Sequence, residues 1–242
     1  MNEHSTEGLL PKLLVHGASG RMGQALLRLA AGDARVQVVA AVSQKVGQRV
    51  IGGVPQFNAS ELEGAPAFDA AIDFSAPSAF DGILAACVRS GAALVSGTTG
   101  LSPGQQAALV TAGERIPVLW ASNFSLGVAV LTALVEQAAR ALPDWDCDII
   151  EAHHKGKRDA PSGTALSLGK AAEQGGASPR YASLRAGDIV GEHTVQFTSS
   201  GERIELVHRA GDRDIFARGA LQAAQWLTGR RPGVYRLGDI LG

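Results

Sequence analysis

The sequence predicts an α/β protein: a doubly wound parallel sheet followed by a smaller part of different architecture. Three observations carry this expectation. Short apolar runs of strand length alternate with helix-length amphipathic stretches through the first half of the chain. A glycine-rich turn, "GASGRMG", follows the first apolar run and opens the first helical stretch. After Asn123 a long helix leads to segments of period two around a hairpin turn.

In chain order, "KLLVHGA" (12–18) reads as a buried strand and "RMGQALLRLAAG" (21–32) as a helix with Leu26, Leu27 and Ala30 on one face. "VQVVAAVS" (36–43), "FDAAIDFS" (68–75), "AALVSGTTG" (92–100) and "IPVLWASN" (116–123) read as further strands. Between them "SAFDGILAACVRSG" and "SPGQQAALVTAGER" read as helices, with Ser78 and Ser102 as N-caps. "SLGVAVLTALVEQAARAL" (125–142) is a longer amphipathic helix, followed by the strand "CDIIEAHH" and a helix "SGTALSLGKAAEQG" (162–175). In "EHTVQFTSSGERIELVHRAG" (192–211), "SSG" is the hairpin turn, and His193, Val195 and Phe197 share a face. A last helix, "IFARGALQAAQWLTG" (215–229), returns to the first domain. The expected division is therefore a discontinuous dinucleotide-binding domain, 1–124 with 213–242, and a second domain over 125–212.

Composition narrows the function classes. The 242 residues fit one large domain or two small ones, and 45% hydrophobic content supplies a sizeable core. A net charge of −1 argues against a general nucleic-acid or acidic-membrane binder. Two cysteines, Cys87 and Cys147, are too few for a disulfide framework or a zinc cluster and read as buried thiols. No apolar run approaches the roughly 18–20 residues of a membrane span. The polar start "MNEHSTEGLLPK" has no signal-peptide order and reads as a frayed tail. The expectation is a cytoplasmic protein with no nucleic-acid or membrane partner and no bound metal.

Gly17, Gly20 and Gly23 form G-x-x-G-x-x-G at a strand–helix turn, a variant of the dinucleotide fingerprint. Such glycines let the backbone approach a pyrophosphate, and the helix start offers free N–H groups. The bland alternative is a tight turn without ligand. The end of the second strand carries Ser43, Gln44 and Lys45, with Arg49 beyond, and no carboxylate stands between Asp33 and Glu61. NAD's usual ribose partner is missing, which favours NADPH over NADH. "SGTTG" and "ASNFSLG" follow later strands, where a doubly wound fold presents ligand-facing loops.

"EAHHKGKRDAPSGTA" (151–165) is the densest run of ionisable groups in the chain. One reading is a solvated basic loop capping the next helix. The other is an anion site with a proton donor: paired histidines titrate near neutrality, and Ser162 caps a helix whose Gly163 and Thr164 N–H groups are free. Two adjacent histidines with no third ligand do not make a metal site.

That run resembles the signature of the 4-hydroxy-tetrahydrodipicolinate reductase (dihydrodipicolinate reductase) family. "GASGRMG", "IDFS", "SGTTG", "SNFSLGV", "RAGDIVGEHT" and "FARGALQAAQWL" are similar to that family too, in the same order from Lys12 to Leu241. The resemblance implies an N-terminal Rossmann domain, and a mixed α/β domain that carries substrate and homotetramer contacts. It implies reduction of a small cyclic dicarboxylate in lysine and diaminopimelate biosynthesis, with NADPH or NADH supplying hydride to ring C4. His153 matches the proton donor to C3 and Lys157 the second catalytic residue. His154, Lys157, Ser162, Gly163 and Thr164 match substrate contacts. Gly17, Ala18, Ser19, Gly20, Arg21 and Met22, with Gly97, Thr98 and Thr99, and Ala121, Ser122, Asn123 and Phe124, match cofactor contacts; Ser43, Gln44 and Lys45 join them from the strand end. The chain departs from the family by shorter loops and by Ser43, where many members carry an acidic residue.

The remaining aromatic and imidazole groups read as structural: His16 near the core, His193 and His208 on sheet or subunit contacts, Trp120, Trp145 and Trp226 as packing anchors. Asp159 reads as a turn residue or the partner of a nearby cation. A different two-domain dehydrogenase would share the first half but has no use for "HHKGKRDAPSGT". A non-catalytic nicotinamide sensor would need no paired-histidine site.

Overall fold

In Lys12–His16 (β1) four of five residues are buried, the signature of a strand covered on both faces. The computed structural model describes residues 10–242; the polar start read as a frayed tail lies, through residue 9, outside the described residues. From β1 the chain runs through Arg21–Ala30 (α1), Gln37–Ser43 (β2), Val50–Ile51 (β3), Val54–Asn58 (β4) and Ala70–Asp73 (β5). Pro77–Ser90 (α2), Ala93–Ser96 (β6), Pro103–Ala112 (α3) and Pro117–Trp120 (β7) follow. Then come Leu126–Ala141 (α4), Asp146–His153 (β8), Gly163–Gln174 (α5), Pro179–Arg185 (β9), Gly191–Ser199 (β10) and Glu202–Ala210 (β11). Asp214–Leu227 (α6) and Gly233–Tyr235 (β12) complete the α-helices and strands, and a 3-10 turn at Leu237–Leu241 follows.

These elements form two compact units, one reaching to Ser122 and resuming over Ala217–Ile240, the other Asn123–Phe216 with Leu241–Gly242. The first is built on a sheet of order β12-β7-β6-β5-β1-β2-β4-β3, parallel except for the β3–β4 pair. β5 and β6 are buried at every residue, so they read as continuous apolar runs rather than alternating ones. Leu14, Val42, Phe80, Ile83, Leu94 and Val118 join in one core between sheet and helices.

Ser102 caps α3, its Oγ accepting from the Gln105 N–H at 3.2 Å. The expected cap at Ser78 is corrected. Pro77 takes the first helical position and Ala76 the cap, leaving Ser78 inside the first turn. Proline suits that place because its fixed φ matches the helix and its missing N–H would be unpaired there anyway.

The second unit is a four-stranded sheet, β11-β10-β8-β9, with α4 and α5 on one face. β10 runs antiparallel to β11 and β8, whereas β8 and β9 are parallel. Cys147, Ile149, Val195 and Phe197 face the helices and meet Leu131, Val135 and Leu168. Truncating the fully buried Phe197 ring would cost about 3–5 kcal/mol. The period-two residues Ile150 and Val207 point to the other face and stay exposed, as does Leu184 on β9. Cys87 and Cys147 are buried free thiols, pushed up by burial, Cys147 to about 11.

Candidate active site

The turn between β1 and α1 brings the backbone close to two neighbours. Gly17 has φ +79°, and a Cβ there would sit 2.5 Å from the Phe74 carbonyl oxygen. A Cβ on Gly23 would strike the Gly17 carbonyl oxygen and lie 2.5 Å from the Ala18 Cα. Gly17 and Ala18 donate their N–H groups to the Val42 carbonyl, tying the turn to β2. The N-cap of α1 is Gly20, which has no side chain to cap with, and the first turn carries no acidic residue. A helix start left uncapped beside exposed Ser19 and Arg21 fits a pyrophosphate.

At the end of β2, Ser43 is buried and its Oγ accepts from the Ser19 N–H at 3.0 Å. Gln44 and Lys45 are exposed, while Arg49 pairs with Glu61 at 2.6 Å. Around the ends of β5 and β6 the organiser is Asp73, whose side chain is fully buried. His16 Nδ1 donates to it at 2.8 Å, Ser96 Oγ at 2.8 Å, Thr98 Oγ1 at 2.7 Å and the Ser75 N–H at 3.1 Å. Burial alone would raise this carboxyl, yet the donors, His16 foremost, hold it below its ordinary value. His16 is thus a paired core residue. The Thr98 side chain is spent inward, and its carbonyl accepts from Trp120 Nε1 at 2.8 Å. A Cβ on Gly97 would overlap the Phe74 ring. Thr99 and Ser122 are exposed, Met22 and Ala121 half-buried, and Phe124 is a fully buried core side chain.

In the second unit the charged run converges on one buried carboxylate. Glu151 and His153 are two apart on β8 and share its inner face. Glu151 Oε2 accepts from His153 Nδ1 at 2.5 Å and from Arg185 Nη1 at 2.8 Å. Its Oε1 accepts from Arg185 Nη2 at 2.7 Å and from the Ser162 N–H at 3.2 Å. The carboxylate therefore joins the end of β8, the end of β9 and the start of α5. Burial opposes its charge, but the bonds from Arg185, Ser183 and His153 prevail and hold it at about 2. His153 is lowered by burial; Glu151 counters this, while Lys157 and Arg185 add to it.

Lys157 lies on the loop after β8, where a tight turn closes through its N–H on the His154 carbonyl at 3.1 Å. Its Nζ donates to Asp159 Oδ1 at 2.8 Å, the pairing read for Asp159. Arg185 Nη2 reaches the Asp159 carbonyl at 2.7 Å. Asp159 is lowered chiefly by Lys157 and also accepts from the Gly163 backbone N–H. The expectation that this N–H is free is corrected: a carboxylate of the chain itself stands at the start of α5. Ser162 caps the helix through the Ala165 N–H at 3.2 Å. Thr164 Oγ1 accepts from Asn123 Nδ2 at 3.0 Å, so a residue read as a cofactor contact touches one read as a substrate contact. His154 is half-buried; Lys155 and Arg158 are exposed.

Sequence reasoning missed three members of this cluster: Glu151, Arg185 and His193. The i, i+2 spacing of Glu151 and His153 on an expected strand was a usable signal. Arg185 and His193 arrive only through strand register, opposite His153 and Glu151 respectively. His193 Nε2 lies 3.2 Å from Ser162 Oγ, and its ring meets that of His153 edge-on with centroids 5.2 Å apart. Burial pushes His193 down to about 4, helped by repulsion from His153 and His208, so it is neutral at pH 7. Among the described residues no group of three or more His, Cys, Asp or Glu could hold a metal, and no helix is long and apolar enough to cross a membrane.

Comparison with known proteins gives a consistent picture. Residues 11–124 match the family model described as dihydrodipicolinate reductase, N-terminus, and residues 127–241 match that for its C-terminus. The 4-hydroxy-tetrahydrodipicolinate reductase of Stenotrophomonas maltophilia (strain R551-3) is 68% identical over 232 residues, covering 95% of this chain and 97% of the relative. The protein of the same description from Xylella fastidiosa (strain M23) is 61% identical over 231 residues, covering 95% and 98%. Among solved structures, the dipicolinate-bound dihydrodipicolinate reductase of Paenisporosarcina sp. TG-14 superposes with TM-score 0.83 at 21% identity, covering 96% of this chain and 100% of the other.

Proposed function

Because the chain belongs to the dihydrodipicolinate reductase family, we propose that the Glu151–His153 cluster and the Lys157–α5 loop are where its substrate is held and protonated. The activity is the NAD(P)H-dependent reduction of 4-hydroxy-tetrahydrodipicolinate in lysine and diaminopimelate biosynthesis. The observation that supports this site is the buried carboxylate that locks a histidine beside a lysine and a helix start.

The substrate's 4-hydroxyl must first leave as water to give the α,β-unsaturated imine, whose ring C4 would then take the hydride that a bound reduced nicotinamide would supply. Carbon C3 then needs a proton, and His153, held by Glu151, is the general acid in its protonated form. Lys157, His154 and the Gly163–Thr164 helix start bind the substrate carboxylates and fix the ring for that transfer. The dipicolinate in the Paenisporosarcina structure is a planar dicarboxylate of the kind such a site takes. The glycine turn of Gly17–Met22, with the loops at Gly97–Thr99 and Ala121–Phe124, holds the nucleotide. The first domain (1–124 and 213–242) serves the cofactor and 125–212 the substrate. With no carboxylate at the end of β2 and Lys45 exposed there, the cofactor reading favours NADPH.

Self-association is read from the open face of the second sheet. Val207, Thr194, Ile150 and Ala182 form one row across all four strands by register, and Ile150 and Val207 are 41% and 40% exposed. Copies of the chain, in a homotetramer, are the partners proposed for it.

The deciding assay supplies freshly made 4-hydroxy-tetrahydrodipicolinate with NADPH or NADH and follows the reduced cofactor's absorbance. Turnover with a higher kcat/KM for NADPH is expected; no turnover with either in folded protein overturns the reading. His153→Gln should lower kcat by roughly 10²–10⁴-fold with cofactor still bound, and unchanged turnover would remove His153 from the mechanism.

A further inference from the structure

We infer that Glu151, clamped by Arg185, is a positioning residue for the proton transfer, holding His153 with a proton on Nδ1 so that Nε2 is the delivering nitrogen. This rests on the reading of His153 as the general acid.

Glu151 is ionised and can only accept, so the 2.5 Å contact requires His153 Nδ1 to be the donor in both charge states. The remaining proton of the imidazolium is then on Nε2. That nitrogen faces Gly191: a Cβ at this position would lie 3.0 Å from it, filling hydrogen-bond space. Glycine keeps that nitrogen clear of a side chain at this position. The bidentate Arg185 fork and the Ser162 N–H fill the other acceptor sites of Glu151 and fix its plane. Unlike an exposed ion pair, this one has both Glu151 oxygens inside the protein, its side chain being 0% exposed.

The charged and titratable groups facing His153 are Glu151 from β8, Lys157 from the following loop, Arg185 from β9 and His193 from β10, with His208 of β11 behind His193. His193 is neutral and, with its Nε2 3.2 Å from Ser162 Oγ, brings no negative charge that could replace Glu151. Glu151 is the one anion among these groups. It alone opposes burial and two cations in keeping His153 chargeable.

The sign of the pH effect follows. A general acid works when protonated, so kcat falls as pH rises through the His153 pKa. Glu151→Gln removes the group that raises this pKa, so the falling limb moves to lower pH. Arg185→Gln removes a cation that lowers it, so the limb moves to higher pH. Loss of packing alone would lower activity without displacing the limb in opposite directions.

The test measures kcat and KM from pH 5 to 9 for the full-length protein and both variants, with nitrogen-15 histidine spectra assigned through His153→Gln. Expected are a roughly 10²-fold drop in kcat for Glu151→Gln at neutral pH, KM within a few-fold of the parent, limbs displaced in opposite directions, and a His153 Nδ1–H signal at high pH. Limbs that stay in place, or a His153 found as the Nε2–H tautomer, overturn the inference. If Glu151→Gln does not fold, the parent's nitrogen spectrum decides alone. If the parent fails to turn over the substrate, the proposed function falls while the spectrum still tests the Glu151–His153 contact.

Discussion

Asp159 shows how one residue can stand in the place of a ligand. Its carboxylate pairs with Lys157 at 2.8 Å and accepts from Gly163, both assigned to a substrate carboxylate. The side chain is 59% exposed, and exposed ion pairs contribute only about 0–1 kcal/mol. A doubly charged substrate that reaches Lys157 and the helix start together displaces it at small cost. Asp159→Asn removes the competitor, so KM should fall by about two- to five-fold with kcat nearly unchanged. Lys157→Ala removes the attraction itself and should raise KM and lower kcat together. Steady-state kinetics separates the cases, and a higher KM in Asp159→Asn would show that Asp159 orients Lys157 instead of competing with substrate.

Between elements, contact is governed by what a side chain would hit. α1 leans on the turn before it at Gly23, where a Cβ would meet backbone that has no flexible end to move aside. At Gly20 the nearest neighbour to such a Cβ is the Gly17 carbonyl oxygen at 3.3 Å. Gly23→Ala should therefore lower the melting temperature by several degrees, equivalent to roughly 1–3 kcal/mol of overpacking, and weaken cofactor binding. Gly20→Ala should leave the melting temperature within about two degrees and weaken only the cofactor. Calorimetry and cofactor titration of both variants check this; equal melting temperatures would contradict it. The same physics decides what the sequence made legible. β1, β2, β5, β6 and β7 are covered on both faces and announce themselves as apolar runs. β9, "PRYASLR", is an edge strand with five exposed residues and carries no such pattern, while β3 and β12 are too short to show a period. The site divides likewise. His153, Lys157 and the Ser162–Thr164 helix start lie within one stretch and could be read directly. Arg185 and His193 reach it through pairing of β9 and β10 with β8, a register no local pattern states.

For the whole molecule the open face of the second sheet is the surface that one chain leaves unresolved. Its inner face carries Ile149, Val195 and Phe197 into a core, as alternation requires, and its outer face should then be polar. Instead Ile150 and Val207 lie in one register row with Thr194 between them, and Leu184 stands opposite Ala152 in the next. Leu184 is 55% exposed. Apolar rows of this kind mark contact surfaces, and a sheet face offers a copy of itself a self-complementary partner. Charges flank the row: Arg180 pairs with Asp148 at 2.7 Å and Arg209 with Glu192 at 3.4 Å, both within the chain. Ile150→Glu puts a charge at the centre of the row, where assembly would have to bury it at a cost of several kcal/mol. The side chain points away from the core, so the fold itself should be unharmed. Light scattering on the eluting peak should then show the parent at the mass of four chains and the variant at a smaller mass, with unchanged circular dichroism. A parent that elutes as a single chain, or a variant that stays at four, would move the association to another surface.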